Sequence, residues 1–470
     1  MDARWMISPR LGFTYKIPEE SLVIRGGMGI FAGRVPLVWP GGVYNNNGVS
    51  IGGINLNPPA TGFVFNSDPF NQPDAAATGQ NLANSKGQID LVAKNYRIPT
   101  VFRTSLAVEK RLGEGWTFTT EAIFTKNIWE INYQNVNILP PTGVSNSPNA
   151  RNVYSTGSGP TRIPMRSTGA NPYPGNIFLL SNNKGRRGYS YSLTFSIDKA
   201  FRNGFAFNAN YTYGNSVTLN EGTSSQNNSQ WRFMETVNGR NFTRLSTSDF
   251  DLGHRINAFV SKEFQYANKA MSTVISLVYN GQSGNPYSYV YRGSPVNDQA
   301  SNESNDLMYI PTATDLSNMV FLSNTVNGVV YSPQQQKDLL ETFIQSDKYL
   351  KKNRGRFAER NGARLPFTHL LDLRLEQKFN VKVSGRKYTF SVGYDVFNFT
   401  NMLNKDWGRT WFLSNDNFPL VNFAGFVSAS NLTPQYRFSP FAGKPYGVST
   451  SLSPGYTARW ISQLSFRVSF

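Results

Sequence analysis

The sequence predicts an all-β protein, a transmembrane antiparallel outer-membrane β-barrel with long extracellular loops and short periplasmic turns. Apolar and polar residues alternate with period two in paired segments along the chain. Aromatic residues make up 14% of a chain whose mean hydropathy is only -0.39. The last segment, 460–470, places Leu464, Phe466, Val468 and Phe470 on one face and polar residues on the other. A strand of this kind suits lipid on one side and water on the other.

Composition excludes a helical membrane protein. Only 39% of the 470 residues are hydrophobic, and no stretch approaches the roughly 18 consecutive apolar residues that a spanning helix needs. A barrel strand escapes this test because only every second residue faces lipid. The 34 Phe and 23 Tyr suit aromatic girdles at the membrane interfaces. The chain has no Cys, which removes disulfides and thiolate metal sites.

The net charge of +17 comes from Lys and Arg that are scattered along the chain without a dense basic run. We therefore expect anionic partners such as outer-membrane lipid and lipopolysaccharide, or an anionic solute, and no nucleic acid. The first ten residues lack the apolar core of a secretory signal. An export signal is expected outside this sequence.

Five strand pairs and one final strand follow in order, and we interpret 1–470 as a single barrel domain. Each pair is joined by a short turn, such as Gly113-Glu114-Gly115 or Arg202-Asn203-Gly204. Polar segments rich in Gly, Asn and Pro separate the pairs, which is the sidedness of an outer-membrane barrel. The predicted pairs are 11–16 with 22–32, 102–108 with 116–124, 189–198 with 205–213, 256–264 with 271–279, and 371–379 with 388–397.

The count of about eleven strands is odd, whereas bacterial single-chain barrels have even numbers. We therefore expect either that an N-terminal part is missing or that further strands lie in the long loops. Candidate extra strands are 61–65, 327–331 and 434–438. The segment 334–352 places Leu339, Leu340, Phe343 and Leu350 near helical spacing, which predicts a helix in an extracellular loop.

Several stretches resemble the C-terminal barrel of TonB-dependent receptors, in particular the Oar-like branch of Bacteroidetes-type proteins. Their order matches the family, and together they cover nearly the whole chain. The stretches are SPRLGFTYK (8–16), VIRGGMGIFAGRVP (23–36), SDFDLGHRINAFVSKEF (248–264), YNGQSGNPYSYVY (279–291), RGRFAERNGARLPFTHLLDLRLEQKF (354–379), DVFNFTNMLNKDWG (395–408) and RWISQLSFRVSF (459–470).

The resemblance implies that the chain is part of a 22-stranded barrel in the outer membrane of a Gram-negative bacterium. It implies a transporter that takes up a large solute, such as a siderophore, an oligosaccharide or a peptide. It also implies partners: a plug domain and an N-terminal barrel portion, an inner-membrane energising complex and the barrel-assembly machinery. The sequence shows neither the plug nor the short N-terminal box of this family.

Two alternative functions remain open at this stage. A passive, porin-like channel of about 14 strands is compatible with the length if the extra strands belong to the wall. A structural barrel subunit that holds other outer-membrane proteins is compatible with the long loops. Neither the main hypothesis nor the alternatives make the chain an enzyme.

Two patterns that suggest chemistry have simpler explanations. Residues 27–32 (GMGIFA) fit the dinucleotide-binding fingerprint, but strand alternation continues through them where the fingerprint requires a strand to give way to a helix. His254 and His369 have acidic residues nearby in sequence, as a His–Asp catalytic pair would. Both histidines stand at strand starts, and we interpret them as rim residues. No catalytic residue is predicted.

Acidic and amide side chains crowd 297–306 (NDQASNESND), where they offer the oxygen ligands that Ca²⁺ prefers. The spacing does not follow an EF-hand, so we expect a solvated loop, with Ca²⁺ as the alternative; no other metal or cofactor is predicted.

Charged residues in the strands are expected to face the lumen or an interface, because a cation facing lipid at the midplane costs about 2–4 kcal/mol. These residues are Arg25, Arg103, Lys110, Lys126, Arg255, Arg374, Lys378 and Arg467.

Aromatic residues supply the remaining candidate sites. Loop aromatics are candidate substrate contacts because aromatic faces stack on sugars, siderophores and peptides; the candidates are Tyr287, Tyr289, Tyr291, Trp407 and Trp411. At the C-terminus, Phe466, Val468 and Phe470 resemble the signal that the barrel-assembly machinery recognises.

Overall fold

A computed structural model describes residues 5–49, 66–71, 87–156, 175–298, 304–441, 444–449 and 458–470. Eleven long strands pair in chain order to form one antiparallel sheet, here called the wall, and Ser246–Thr247 pairs with its sixth strand. The wall strands are β1 (Arg10–Ile17), β2 (Leu22–Ala32), β3 (Thr100–Gly113), β4 (Trp116–Trp129), β5 (Tyr189–Arg202), β6 (Phe205–Thr218), β7 (Gly253–Tyr266), β8 (Met271–Gln282), β9 (Thr368–Val383), β10 (Arg386–Phe397) and β11 (Ile461–Ser469).

The register of the wall explains the alternation in the sequence. Val468 lies opposite Phe390 on the apolar face, while Gln463 lies opposite Asp395 on the polar face. Because side chains alternate between the two faces of a strand, these registers place apolar residues of neighbouring strands together on one face. The predicted fold class and the five predicted strand pairs are confirmed.

The short turns follow the local chemistry of their residues. Between β5 and β6, Arg202 pairs with Phe205, so Asn203 and Gly204 form a two-residue loop. Both residues have positive φ, 53° and 72°, as a type I′ hairpin turn requires. Asn and Gly adopt this conformation at little cost.

Several cations of the polar face have carboxylate partners on nearby strands. Arg25 pairs with Glu109 at 3.0 Å and Lys378 with Glu263 at 3.8 Å. By register, six of the eight cations singled out in the sequence lie on this face. Lys110 and Lys126 lie on the apolar face, but at its two ends, where they meet an interface. The expectation that strand cations avoid the centre of the lipid face is confirmed.

The long connections fold into a loop layer of smaller sheets. One sheet has five strands, in the order Val320–Phe321, Pro434–Arg437, Asn417–Phe426, Pro286–Arg292 and Ala363–Arg364. Another has three, in the order Ile89–Val92, Ile177–Asn182 and Ile131–Asn135. Two-stranded pieces join Tyr309–Ile310 with Arg356–Phe357, Asn324–Val326 with Val329–Tyr331, Trp411–Phe412 with Gly447–Val448, and Gly143–Val144 with Asn152–Val153.

The buried apolar core lies in this loop layer. One cluster surrounds Tyr289, Ile310 and Leu340, and a second surrounds Phe178 and Trp231. The long connections are therefore packed structures with their own cores, so they can position side chains as firmly as the wall does.

Six helices belong to the described part of the chain: α1 (Val38–Asn45), α2 (Asn227–Arg232), α3 (Ala313–Asn318), α4 (Pro333–Ser346), α5 (Lys348–Lys352) and α6 (Phe399–Leu403), with a 3-10 turn at Ser414–Asp416. The segment 334–352, for which a single helix was expected, forms α4 and α5. It is divided at Asp347, whose side chain caps α5 by accepting from Leu350 N at 2.8 Å. None of the helices in the described ranges is both long and apolar enough to cross a bilayer.

The candidate extra strands do not extend the wall. Residues 329–331 form half of a small hairpin, and 434–437 belong to the five-stranded loop sheet; the prediction of wall strands there is wrong, because their partners are loop residues. Segment 61–65 lies outside the described residues. Within the described ranges, β1 pairs only with β2 and β11 only with β10.

Candidate functional site

A cavity of about 750 Å³ lies in the loop layer, where three long connections of the wall meet. Its volume is in the range of small-molecule binding sites. The connection after β6 contributes Glu221 and Glu235, the connection before β9 contributes Arg360, and the connection before β11 contributes Asp416 and Asn417. Asp249, just before β7, completes the charged lining.

The acidic cavity, as we name it from here on, carries four carboxylates and one guanidinium in its lining. Glu221 is held in place because its two oxygens accept from Ser248 Oγ at 3.0 Å and from Asp249 N at 2.9 Å. Asp249 in turn accepts from Asn361 Nδ2 at 2.6 Å. The cavity is therefore negative in a chain whose net charge is +17.

Burial raises the pKa of Glu221, Glu235 and Asp416 above the ordinary values of these carboxyls. The negative charge of Asp249 adds to the rise in each case. These carboxyls thus hold protons at a higher pH than exposed ones, and a cationic group brought close to them would favour their ionised forms.

Arg360 is buried beside the acidic cavity, and two of its nitrogens donate hydrogen bonds to backbone carbonyls. Nη2 donates to Thr218 O at 2.7 Å and Nη1 to Leu219 O at 3.3 Å. Its Nε and the Oδ1 of Asn417 are buried without a hydrogen-bond partner among the described residues. Buried polar atoms are ordinarily paired with protein, water or ligand, so the lining has capacity for further hydrogen bonds.

The tyrosines proposed as substrate contacts lie inside the loop-layer core. Tyr289 and Tyr291 are 0% exposed and Tyr287 is 2% exposed. Tyr289 stacks on Tyr349 with ring centroids 6.1 Å apart and donates to Asp347 at 2.8 Å. In this structure the three rings are packing residues buried in a loop sheet, although they were expected to be loop aromatics. Their contact with a solute stays a prediction.

The two tryptophans of that prediction differ from the tyrosines. Trp411 is partly buried against Tyr446, with ring centroids 5.4 Å apart. Trp407 is 54% exposed, so it is available to a solute. Neither lines the acidic cavity. Sequence reasoning missed the cavity itself, because its carboxylates come from distant connections and share no motif.

The histidines sit on the outward face at the loop ends of their strands, each beside a tyrosine. His254 Nδ1 lies 2.7 Å from Tyr211 Oη, and His369 Nδ1 lies 2.7 Å from Tyr279 Oη. Asp251, which is close to His254 in sequence, instead forms a salt bridge with Arg364. This geometry agrees with the interpretation of both histidines as rim residues.

The glycine pattern at 27–32 lies within strand β2, so it is not followed by a helix. A Cβ on Gly27 would lie 2.8 Å from the carbonyl oxygen of Leu11 on the adjacent strand. Glycine at this position therefore permits close packing of two wall strands.

Two carboxylates of the segment 297–306 flank a guanidinium. Arg240 forms a salt bridge with Asp298, and its Nη1 lies 3.6 Å from Asp306. Residues 299–303 lie outside the described part of the chain. Among the residues that are described, no group of three or more His, Cys, Asp or Glu side chains can hold a metal. The expectation of a solvated loop is wrong for Asn297, Asp298, Asn305 and Asp306, which are buried. Binding of Ca²⁺ by the whole segment stays the alternative interpretation.

At the C-terminus, Phe466 and Val468 project from the apolar face of β11, and Phe470 is 97% exposed. Their recognition by the barrel-assembly machinery stays a prediction.

Several solved structures are similar to this chain at low identity. The outer membrane transporter YddB from Escherichia coli is 11% identical, with a TM-score of 0.39 over 98% of this chain and 40% of that one. A mutant of the ferric enterobactin receptor PfeA from Pseudomonas aeruginosa is 11% identical, with a TM-score of 0.33 over 84% and 34%. FpvA bound to pyoverdines, from P. aeruginosa, is 6% identical, with a TM-score of 0.24 over 83% and 39%. The chain thus spans two-fifths or less of each.

No curated protein matches the sequence. A family model described as an outer membrane beta barrel domain matches residues 2–420. The match covers most of the chain and ten of its eleven wall strands. The protein is therefore located in the outer membrane of a Gram-negative bacterium, and the chain belongs to the family of outer membrane beta barrel domains.

Proposed function

We propose that the chain forms part of the wall and the extracellular loops of a TonB-dependent transporter that takes up a large solute. The sequence resemblance given above supports this proposal. The observation that carries it is the acidic cavity of about 750 Å³, built in the loop layer by three extracellular connections. A passive pore has no need of a packed loop layer with a charged cavity.

The solute belongs to the siderophore, oligosaccharide or peptide classes. The lining favours molecules that present amino, amide or hydroxyl donors, because four carboxylates outnumber one guanidinium. Burial strengthens each of these hydrogen bonds relative to bulk water. Trp407 offers an exposed ring on the same loop layer.

Further strands complete the wall in this proposal. In the described residues β1 and β11 each have one partner, and ten successive antiparallel pairings leave these two edge strands running in the same direction. An all-antiparallel barrel closed through them needs an odd number of additional strands. These strands, a plug domain and an inner-membrane energising complex are the proposed partners.

The barrel-assembly machinery is a further proposed partner. Phe466, Val468 and Phe470 form an exposed apolar ridge at the end of β11, which is a surface that a folding factor can bind before the edge is paired.

Uptake in the native strain tests the proposal. Cells with and without the chain are given fluorescently labelled oligosaccharides and peptides and a ferric siderophore, with or without a protonophore. Chain-dependent uptake that the protonophore abolishes supports the transporter. Chain-dependent uptake that survives the protonophore, with conductance of the purified chain in bilayers, would establish the passive channel instead.

Substitutions in the acidic cavity give the site its own test. Glu235→Gln combined with Asp416→Asn should lower uptake at least about tenfold, because two charged hydrogen bonds are lost. Glu114→Gln, in a short turn at the opposite end of the wall, is the matched control and should leave uptake unchanged. Equal uptake by both variants contradicts a role for the cavity.

Stable co-purification with another outer-membrane protein, without uptake, would favour the structural subunit.

A further inference from the structure

Three cations gather at the loop end of the outward face, two of them over Trp129 and the third over Tyr189. Arg97 Cζ lies 5.0 Å and Arg187 Cζ 5.3 Å from the centroid of the Trp129 ring. Lys126 Nζ lies 5.3 Å from the Tyr189 centroid and donates to Arg187 O at 2.8 Å. Two guanidiniums on one indole bring like charges together, so an anion between them would lower the energy.

A bulge in β4 turns Trp129 outward. Val101 pairs with Asn127 and Thr100 with Trp129, which leaves Ile128 without an opposite residue. The extra residue shifts the alternation, so Trp129 shares the face of Thr100, which is the face turned to lipid. Without the bulge, its ring would project to the polar side.

The cations of this cluster have no carboxylate partner among the described residues, unlike Arg25, Arg374 and Lys378 of the wall. Among the residues described, no carboxylate lies within salt-bridge distance of Arg97, Lys126 or Arg187. At the turn end of the same face, Lys110 pairs with Glu20 at 2.8 Å. The positive charge at the loop end is thus left for a group outside the described chain.

An apolar cavity of about 350 Å³ adjoins the cluster. Its lining includes Ile30, Ile98, Ile128 and Trp129, together with the cations Lys94 and Arg97. Ile30 lies near the loop end of β2 on the outward face, so the cavity lies at the same end of the wall as the three cations. An acyl chain fits such a surface, and a phosphate fits the cations beside it.

We propose that Arg97, Lys126 and Arg187 bind the phosphate of a phosphorylated glycolipid of the outer leaflet, with an acyl chain against the apolar cavity. Guanidinium and phosphate pair through two parallel hydrogen bonds. The aromatic rings hold the guanidiniums at the membrane boundary, where lipid headgroups lie. This lipid site is on the outside of the wall and is independent of solute uptake.

Binding of purified lipid A to the full chain in detergent tests the proposal by native mass spectrometry. The probes are bisphosphorylated lipid A, the same lipid with its phosphates removed, and inorganic phosphate. The wild-type chain should bind the bisphosphorylated form at least about tenfold more tightly than the dephosphorylated one. Equal binding of the two lipids overturns the proposal. Competition by inorganic phosphate at the same concentration as the lipid also overturns it, since the site would then take free phosphate.

Variants locate the binding. Arg97→Gln with Arg187→Gln should weaken binding of bisphosphorylated lipid A about tenfold or more. The matched control is Lys199→Gln, because Lys199 Nζ lies 4.9 Å from the Trp116 centroid at the turn end of the same face. Equal weakening by the control indicates nonspecific charge attraction and overturns the site. Arg97→Lys with Arg187→Lys retains the charges and should bind within about threefold of wild type, which guards against misfolding of the Gln variant.

Discussion

Arg374 on β9 and Asp395 on β10 face each other across the polar side of the wall, with Nη1 2.9 Å from Oδ1 and 2.8 Å from Oδ2. Glu376 lies 3.7 Å from the same guanidinium. With similar pairs at Arg25 and Lys378, the inner face balances much of its own charge. A molecule that contacts this face therefore meets paired charges.

Asp395→Asn should lower the stability of the wall only slightly, by about 1 kcal/mol or less. The pair is partly exposed to water, which screens it, and Glu376 remains to compensate Arg374. Thermal unfolding in detergent measures the change, and a double-mutant cycle with Arg374→Gln isolates the pair. A loss of several kcal/mol would mean that the polar face is dry.

Glu235→Gln should stabilise the loop layer at neutral and alkaline pH. Burial raises the pKa of Glu235 in the folded chain, so folding retains a proton that the unfolded chain has lost. The stability of the wild type therefore falls as the pH rises from the ordinary glutamate range through the raised value. The side-chain amide of the Gln variant carries no charge, so the variant does not lose stability in this way.

Unfolding midpoints measured across pH check this result. The difference in unfolding midpoint between Glu235→Gln and the wild type should increase as the pH rises. It should disappear as the pH falls towards the ordinary pKa range of glutamate. Glu114→Gln, at an exposed turn, should show no such trend. A gap that is independent of pH would show that the charge of Glu235 carries no cost, for example because Arg360 compensates it fully.

Gly27→Val should destabilise the wall by about 1–3 kcal/mol, since a Cβ there would press on the Leu11 carbonyl oxygen at 2.8 Å. The control is Gly12→Val, at the paired position, where the nearest atom to a Cβ is 3.7 Å away. Unfolding midpoints in detergent compare the stabilities of the two variants, and Gly27→Val should have the lower midpoint. Equal midpoints would contradict the close approach of β1 and β2.

The wall could be predicted from sequence because each strand carries its own period-two signal. The pairs joined at Gly113–Gly115 and at Asn203-Gly204 needed only adjacent segments and a turn. The loop layer carries no such signal. Tyr289 alternates as a strand residue, but its parallel partner strand, Asn417–Phe426, lies more than a hundred residues away.

The candidate site was missed for the same reason. Glu221, Arg360 and Asp416 meet only after three connections have packed together, and none of them stands in a motif that predicts a binding site. Trp129 shows the local form of the problem: strict alternation places it on the polar face, and one bulged residue turns it to the lipid. Long-range packing and register irregularities are what sequence periodicity does not encode.

Tyr289→Ala should destabilise the loop layer by about 3–5 kcal/mol, the usual cost of removing a buried aromatic ring. The ring packs on Tyr349 and Phe418, with centroids 6.1 Å and 6.0 Å away. Tyr289→Phe keeps the ring and loses the hydrogen bond to Asp347, which costs about 1 kcal/mol. Hydrogen exchange of the loop layer measures both changes.

Trp407→Ala is the counterpart on the surface, because that ring is 54% exposed and its removal should leave exchange unchanged. If Tyr289 acts only through packing, Tyr289→Phe retains solute uptake while Tyr289→Ala loses uptake and protection from exchange together. Loss of uptake in Tyr289→Phe with normal exchange would mean that the hydroxyl reaches the solute. The loop layer would then have to open during transport, since the closed structure buries that hydroxyl completely.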